Sequence, residues 1–186
     1  MYTLLLLLIY LAFISLGLPD SLLGSAWPVM HKAFQVPLSY AGLVTMIISG
    51  GTICSSLMSE RLTKKFGTQI VTVFSVMLTA IALFGFSTAS AFWMLCLWAI
   101  PYGLGAGAID AALNNYVALH YNSRHMSWLH CFWGLGTIIS PYVMSYALTT
   151  SVWQNGYRMV SFIQIGIALI LFVTLPIWKV NKKETA

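Results

Sequence analysis

Only two carboxylates fall inside long apolar stretches of this chain, and they are the residues best placed to do chemistry. Asp20 stands in Gly17-Leu-Pro-Asp-Ser-Leu-Leu-Gly24 and Asp110 in Gly103-Leu-Gly-Ala-Gly-Ala-Ile-Asp. An aspartate held mid-membrane costs about 2.5–3.5 kcal/mol on insertion scales, so it is kept where it faces a bundle interior or water, often where protons move. A carboxyl group partly shielded from water can load and release a proton as its surroundings change. The competing reading is a structural hub that bonds neighbouring helices together. Helical spacing of about 100° per residue places Gly17, Asp20, Gly24 and Trp27 on one side of a helix. It does the same for Gly103, Gly107, Asp110 and Asn114. The glycines on these stripes permit either close helix packing or room for a ligand. Pro19 removes a backbone hydrogen bond directly before Asp20 and should bend or loosen that helix, and Pro101 and Pro141 can kink theirs in the same way.

A second candidate is the aromatic, polar segment Met126-Ser-Trp-Leu-His-Cys-Phe-Trp-Gly-Leu-Gly. His130, Gly134, Thr137 and Pro141 share one helical face there. His130 is a candidate to bind a solute or pass protons, and Trp128 or Trp133 to stack on a sugar ring. The plainer alternative pairs His130 near the membrane interface and uses the tryptophans as anchors. Asn115 and His120 are weaker candidates. Enzyme readings find no support: HExxH, GxSxG and GxxxxGK[ST] are all missing, and a Ser–His hydrolase built on His130 has no motif to select its serine. Cys54, Cys96 and Cys131 form no CxxC spacing and read as small buried hydrophobes. No metal or organic cofactor is expected, and a proton gradient is the expected driving force.

These residues must be carried by membrane helices. Of 186 residues only 13 are charged, nine Lys+Arg and four Asp+Glu, or 7%, against 59% hydrophobic. An ordinary soluble domain carries about 25% charged residues, so a hydrated surface cannot be built. The formal charge of +5 is spread over loops without a basic, aromatic-interleaved stripe, which excludes a nucleic-acid partner. Spanning helices need about 20 apolar residues each. The apolar runs are Thr3–Val29, Tyr40–Met58, Ile70–Ser87, Phe92–Val117, Met126–Leu148 and Val160–Trp178. The first run lacks a preceding Lys or Arg and an A-x-A site, so it reads as a retained span rather than a signal peptide. With the amino terminus in the cytoplasm, seven Lys and Arg (Arg61, Lys64, Lys65, Arg124, Lys179, Lys182 and Lys183) lie inside, and only Lys32 and Arg158 outside. Both termini are therefore expected to be cytoplasmic. Trp93, Trp128, Trp153 and Trp178 sit near span ends, as interface anchors do.

Weak internal symmetry completes the reading. Gly51-Thr-Ile-Cys-Ser55 echoes Gly136-Thr-Ile-Ile-Ser140 85 residues on, Gly67 echoes Gly156 at 89, and Asp20 echoes Asp110 at 90. Three similar offsets point to a three-helix unit used twice, the second copy entering from the opposite side. Coincidence in an apolar alphabet is the alternative. The expected fold class is an all-α membrane protein of six transmembrane helices arranged as an inverted 3+3 repeat. Its units are 1–90 and 91–180, followed by a short cytoplasmic tail, 181–186.

The six spans, the SERLTKKFGTQ segment and the 3+3 symmetry resemble the amino-terminal half of a major facilitator superfamily transporter. The superfamily's loop signature runs roughly G-x-L-x-D-R-x-G-R. Leu62, Lys65 (basic for Arg) and Gly67 match it in register, while Glu60, Lys64 and Thr68 depart from it. Lys64 replaces the Asp that helps latch the two halves, so that latch is not carried over. GLPDSLLGSAWP, IPYGLGAGAIDAALNNYVALHY and HMSWLHCFWGLG resemble fucose-permease-like bacterial sugar/proton symporters. The resemblance implies proton coupling by Asp110 and Asp20, with Asp110 standing where some relatives carry Glu. Asn114, Asn115, Trp27, His130 and Trp133 are the candidate solute contacts, and the resemblance makes Arg61, Lys64, Lys65 and Gly67 gating-loop residues. It also implies a bacterial inner (plasma) membrane location and twelve spans. The chain ends at KVNKKETA, which resembles the start of a connector between halves. The expected partners are therefore the lipid bilayer, a small polar solute, and a second six-helix half or a second copy. A split or truncated product and a non-transporting membrane module are the alternatives.

Overall fold

Inside a bilayer no water is available to bond a stray N–H or C=O, so each apolar run must close its backbone hydrogen bonds within itself. The computed structural model, which describes residues 2–180 and the side chains of 3–178, is helical accordingly. The helices are α1 (Tyr2–Asp20), α2 (Leu22–Ala33), α3 (Ala41–Phe66), α4 (Thr68–Thr88), α5 (Phe92–His120), α6 (Ser123–Thr150), α7 (Trp153–Val173) and the short α8 (Leu175–Val180). Among the described residues six segments are long and apolar enough to cross a membrane, and α1 and α2 together make the first. The tail 181–186, with Lys182 and Lys183, lies outside the described residues.

Several boundaries differ from the apolar runs. α3 continues through the basic segment to Phe66, because Thr63, Lys64 and Lys65 keep helical hydrogen bonding beyond the apolar part. The last span is Trp153–Val173 rather than Val160–Trp178. Its first two turns contain Gly156, Tyr157 and Arg158, which hydropathy alone assigns to a loop. Trp153 and Tyr157 are 4% and 2% exposed, so helix–helix packing continues past the apolar window. Trp178 sits on α8 at 6% exposure, and neither it nor Trp153 anchors an interface as expected. Trp93 and Trp128 remain exposed at their span starts. The cysteines also correct the sequence reading: Cys54 and Cys131 are exposed and Cys96 is half-buried. Cys54 and Cys131 lie on the two least buried spans, α3 and α6.

Connections are short. Gly67 alone joins α3 to α4, with φ +88, a left-handed conformation open to glycine and costly to other residues. Its N–H closes the helix by bonding the Thr63 carbonyl at 2.9 Å. Tyr121 and Asn122 join α5 to α6, and Ser151 and Val152 join α6 to α7.

The main helix pairs join both distant and consecutive elements. α3 lies on α5, α1 on α6, and α4 on both α5 and α7. Two crossings bring backbones into direct contact. A Cβ at Gly17 would overlap the Trp133 carbonyl, and one at Gly136 the Ile14 carbonyl. A Cβ at Gly103 would likewise overlap the Ile48 carbonyl. In lipid, where apolar contact drives little association, such small-residue crossings let van der Waals packing hold helices together. The core forms two main apolar clusters. One gathers Ile9, Phe13, Leu113, Leu129 and Leu171, and the other Leu22, Trp27, Met30, Leu83 and Leu95. Ser15, Thr79 and Gln164 form a buried polar group on α1, α4 and α7.

Candidate functional site

Asp20 and Asp110 line a cavity of about 320 Å³, at the lower end of the range that ligand sites occupy. Four spans build it. α1 supplies Phe13, Leu16 and Asp20, α3 supplies Ile48 and Thr52, α5 supplies Tyr102, Ala106 and Asp110, and α6 supplies His130 and Trp133. Within each helix these positions recur three or four residues apart, so one face of each turns inward. Asp20 and Asp110, 90 residues apart in sequence, thus look into one opening.

The two carboxylates are held differently. Asp20 is the last residue of α1, at a break confined to Ser21 before α2 begins. Its Oδ1 accepts from the Tyr102 hydroxyl at 3.0 Å and its Oδ2 from the Trp133 indole N–H at 2.8 Å. Both oxygens are therefore occupied by donors that reach in from α5 and α6. Asp110 sits in an unbroken helix and accepts at Oδ1 from Asn114 Nδ2 at 2.9 Å, one turn on. Among the described residues none bonds its second oxygen. His130 is exposed in the same opening, its ring edge-on to Phe13 with centroids 6.2 Å apart.

Asp20, Asp110, His130 and Trp133 are brought together; the remaining candidates are not. Trp27 is 4% exposed, and its indole N–H donates to the Leu38 carbonyl at 2.7 Å. The break at Ser21 turns it off the Asp20 face and into the core against Phe92. Gly24 is exposed like Asp20 and meets nothing within 4 Å. Asn114 is committed to Asp110, donating to both its carboxylate and its backbone carbonyl. Asn115, one residue further round α5, lines a separate polar cavity of about 540 Å³ with Ser56, Glu60 and Lys64. Arg61, Lys64 and Lys65 stand on the last turns of α3, not in a loop, and Gly67 is the whole connection. Lys64, in place of the signature's Asp, pairs with Glu60 on its own helix at 2.6 Å.

Tyr102 and Thr52 belong to the cavity and are missed by the sequence reading. The glycine stripe of α5 draws the eye to Gly103, Gly107 and Asp110, yet Gly103 and Gly107 face α3 as packing residues. The cavity face is shifted round the helix, through Tyr102, Ala106 and Asp110 at successive steps of four. That spacing is the signal that finds Tyr102. Thr52 is signalled only by its neighbour α5: its hydroxyl lies 3.0 Å from the Ile48 carbonyl and 3.3 Å from that of Gly103, at the crossing of the two helices.

Comparison with known proteins agrees with this architecture. The chain is 23% identical over 163 residues to Bypass of stop codon protein 6 of Saccharomyces cerevisiae, covering 86% of this chain and 33% of that protein. It is 22% identical over 181 residues to the Glucose/mannose transporter GlcP of Bacillus subtilis, covering 95% of this chain and 44% of that one. The chain thus spans less than half the length of either relative. The sequence pattern of the Major Facilitator Superfamily matches residues 9–186. With six membrane-crossing segments and a family match over nearly its full length, the chain is an integral membrane protein that belongs to the Major Facilitator Superfamily.

Proposed function

We propose that this bundle forms one side of a proton-coupled carrier for a small polar solute, a sugar of the hexose class, working with a second six-helix bundle by alternating access. The observation that carries the reading is the meeting of Asp20 and Asp110, from α1 and α5, in one mid-bundle opening with His130 and Trp133. Asp110, with one oxygen unbonded, is the proton carrier. Asp20 is a solute contact or second carrier, while Trp133 offers a flat ring and His130 a hydrogen-bonding edge for a sugar. The glucose/mannose carrier among the relatives supports the solute class, and the motif resemblance to fucose-permease-like symporters supports the coupling.

A second bundle is proposed because α3 and α6 are the two least buried spans. The open face of α6 carries Ser127, His130, Tyr142, Ser145 and Tyr146 among exposed Leu135, Ile138 and Ile139, a mixed surface whose polar groups lipid satisfies poorly. The basic side chains of Arg61, Lys64, Lys65 and Arg124 lie at the ends proposed to face the cytoplasm, which would put both termini there, in a bacterial inner membrane. The units 1–90 and 91–180 are proposed as inverted repeats, with α1 on α6 answering α3 on α5.

The test is uptake of labelled glucose and mannose into proteoliposomes. One set holds this chain alone and another holds it co-reconstituted with the part of the glucose/mannose relative that lies outside the stretch this chain matches. Uptake driven by an inward proton gradient and confined to the paired sample is expected. Uptake that ignores the gradient overturns the coupling, and none in the paired sample across a hexose panel overturns the carrier assignment.

One observation favours a second reading for Asp20 alone. Because Tyr102 and Trp133 already occupy both its oxygens, it is also suited to tie α1, α5 and α6 together. Under that reading Asp20→Asn lowers stability and leaves uptake per folded molecule unchanged.

A further inference from the structure

Proline in a helix interior leaves the carbonyl four residues earlier without its donor, and in a membrane helix that carbonyl must find another partner. For Pro19 the orphan is the carbonyl of Ser15, a residue 1% exposed. It is not left unpaired. Gln164, on α7 and 1% exposed, donates from Nε2 to that carbonyl at 2.6 Å. The other end of the same amide accepts from the Thr79 hydroxyl of α4 at 3.1 Å. Thr79 itself lies 2.9 Å from the Val76 carbonyl and is 3% exposed. One side-chain amide therefore bridges three spans at the place where the first loses a bond, five residues before Asp20. On the opposite flank Gly17 sits directly against the Trp133 carbonyl of α6.

We propose that Gln164 is a positioning residue for Asp20. It supplies the hydrogen bond that Pro19 cannot, fixing α1 up to its end so that the span breaks at Ser21 and presents the Asp20 carboxylate to Tyr102 and Trp133. Gln164 does not line the cavity and acts through α1. This deepens the carrier reading and rests on it for its transport consequence, while the geometry of the first span stands apart from transport.

Pro19 and Gln164 make the test a double-mutant cycle, because Pro19→Ala restores a backbone N–H that can reach the Ser15 carbonyl from within the helix. In the paired proteoliposomes, Gln164→Leu is expected to raise the KM for the transported hexose about fivefold or more. Vmax per inserted molecule should stay within about twofold, a split that mere loss of folded protein would not give. Pro19→Ala in the Gln164→Leu background is expected to recover most of that KM. A transport-independent reading uses Ser21→Cys in a background with Cys54, Cys96 and Cys131 changed to Ala. Its rate of alkylation should rise several-fold with Gln164→Leu and fall back when Pro19→Ala is added. Should Gln164→Leu fail to insert, Gln164→Met is unbranched like Gln, removes the donor to Ser15 and leaves Thr79 its bond to the Val76 carbonyl, and the same shifts are expected of it. A KM and alkylation rate unmoved by either variant, or a loss that Pro19→Ala does not relieve, overturns the proposal. Absent uptake in every sample, with the alkylation pattern as expected, overturns the carrier reading and leaves the role of Gln164 in place.

Discussion

Asp20 and Asp110 look into the same cavity, yet the protein treats them in opposite ways. Asp20 ends a helix and has both oxygens bonded by donors from other spans, Tyr102 on α5 and Trp133 on α6. Asp110 lies within a continuous helix, and its one bonded oxygen is served from its own helix by Asn114. Bonds between spans fix a side chain relative to the bundle, whereas a bond one turn along a helix moves with it. Asp20 is therefore tied to two other spans, while Asp110 keeps one oxygen unbonded among the described residues. Under the proposed carrier reading, that free oxygen is the one that exchanges a proton.

The largest effect that would break this comparison is on transport. Asp110→Ala is expected to abolish concentrative hexose uptake in the paired proteoliposomes. Asp110→Asn should leave solute exchange that no longer varies with pH, because the amide has no proton to trade. If Asp110→Asn kept the wild-type pH dependence and Asp20→Asn lost it, the two roles would have to be exchanged.

Next in size is the packing that brings Trp133 to Asp20. Gly17→Leu forces a side chain into the Trp133 carbonyl, and overpacking of a close contact typically costs about 1–3 kcal/mol. Denaturant titration of the purified protein should show at least that loss, since the obstacle is backbone, which cannot swing aside. An unchanged midpoint would mean that α1 and α6 do not cross at Gly17.

Effects of similar size and below sharpen the contrast between the two acids. Tyr102→Phe removes one bond to a carboxylate, and such bonds contribute about 1.5–3 kcal/mol where the partner is charged. Asn114→Ala removes a bond one helical turn away, for which about 0.2–0.5 kcal/mol is expected. The same titration read on both variants should therefore rank Tyr102→Phe well above Asn114→Ala. The reverse ranking would mean that Asp110, not Asp20, is the structural tie.

The sequence by itself determined that this chain is a bundle of six membrane helices and that two acids lie inside it. That much is local physics: with no water in the bilayer, a long apolar run can only close its hydrogen bonds as a helix, and an acid within the run declares itself by composition. The break beside Asp20 was also legible, because Pro19 carries its own cause. The tertiary structure alone decided which faces meet. Trp27 entered the core because the helix turns at Ser21, and Tyr102 entered the site because glycines on its helix were taken up by packing against α3. Asp20 found its donors 82 and 113 residues away, and the Ser15 carbonyl found its donor 149 residues away. Helical periodicity fixes the face a residue occupies on its own helix. Its neighbours depend on how the helices cross, and in lipid the fit of small residues at each crossing sets that.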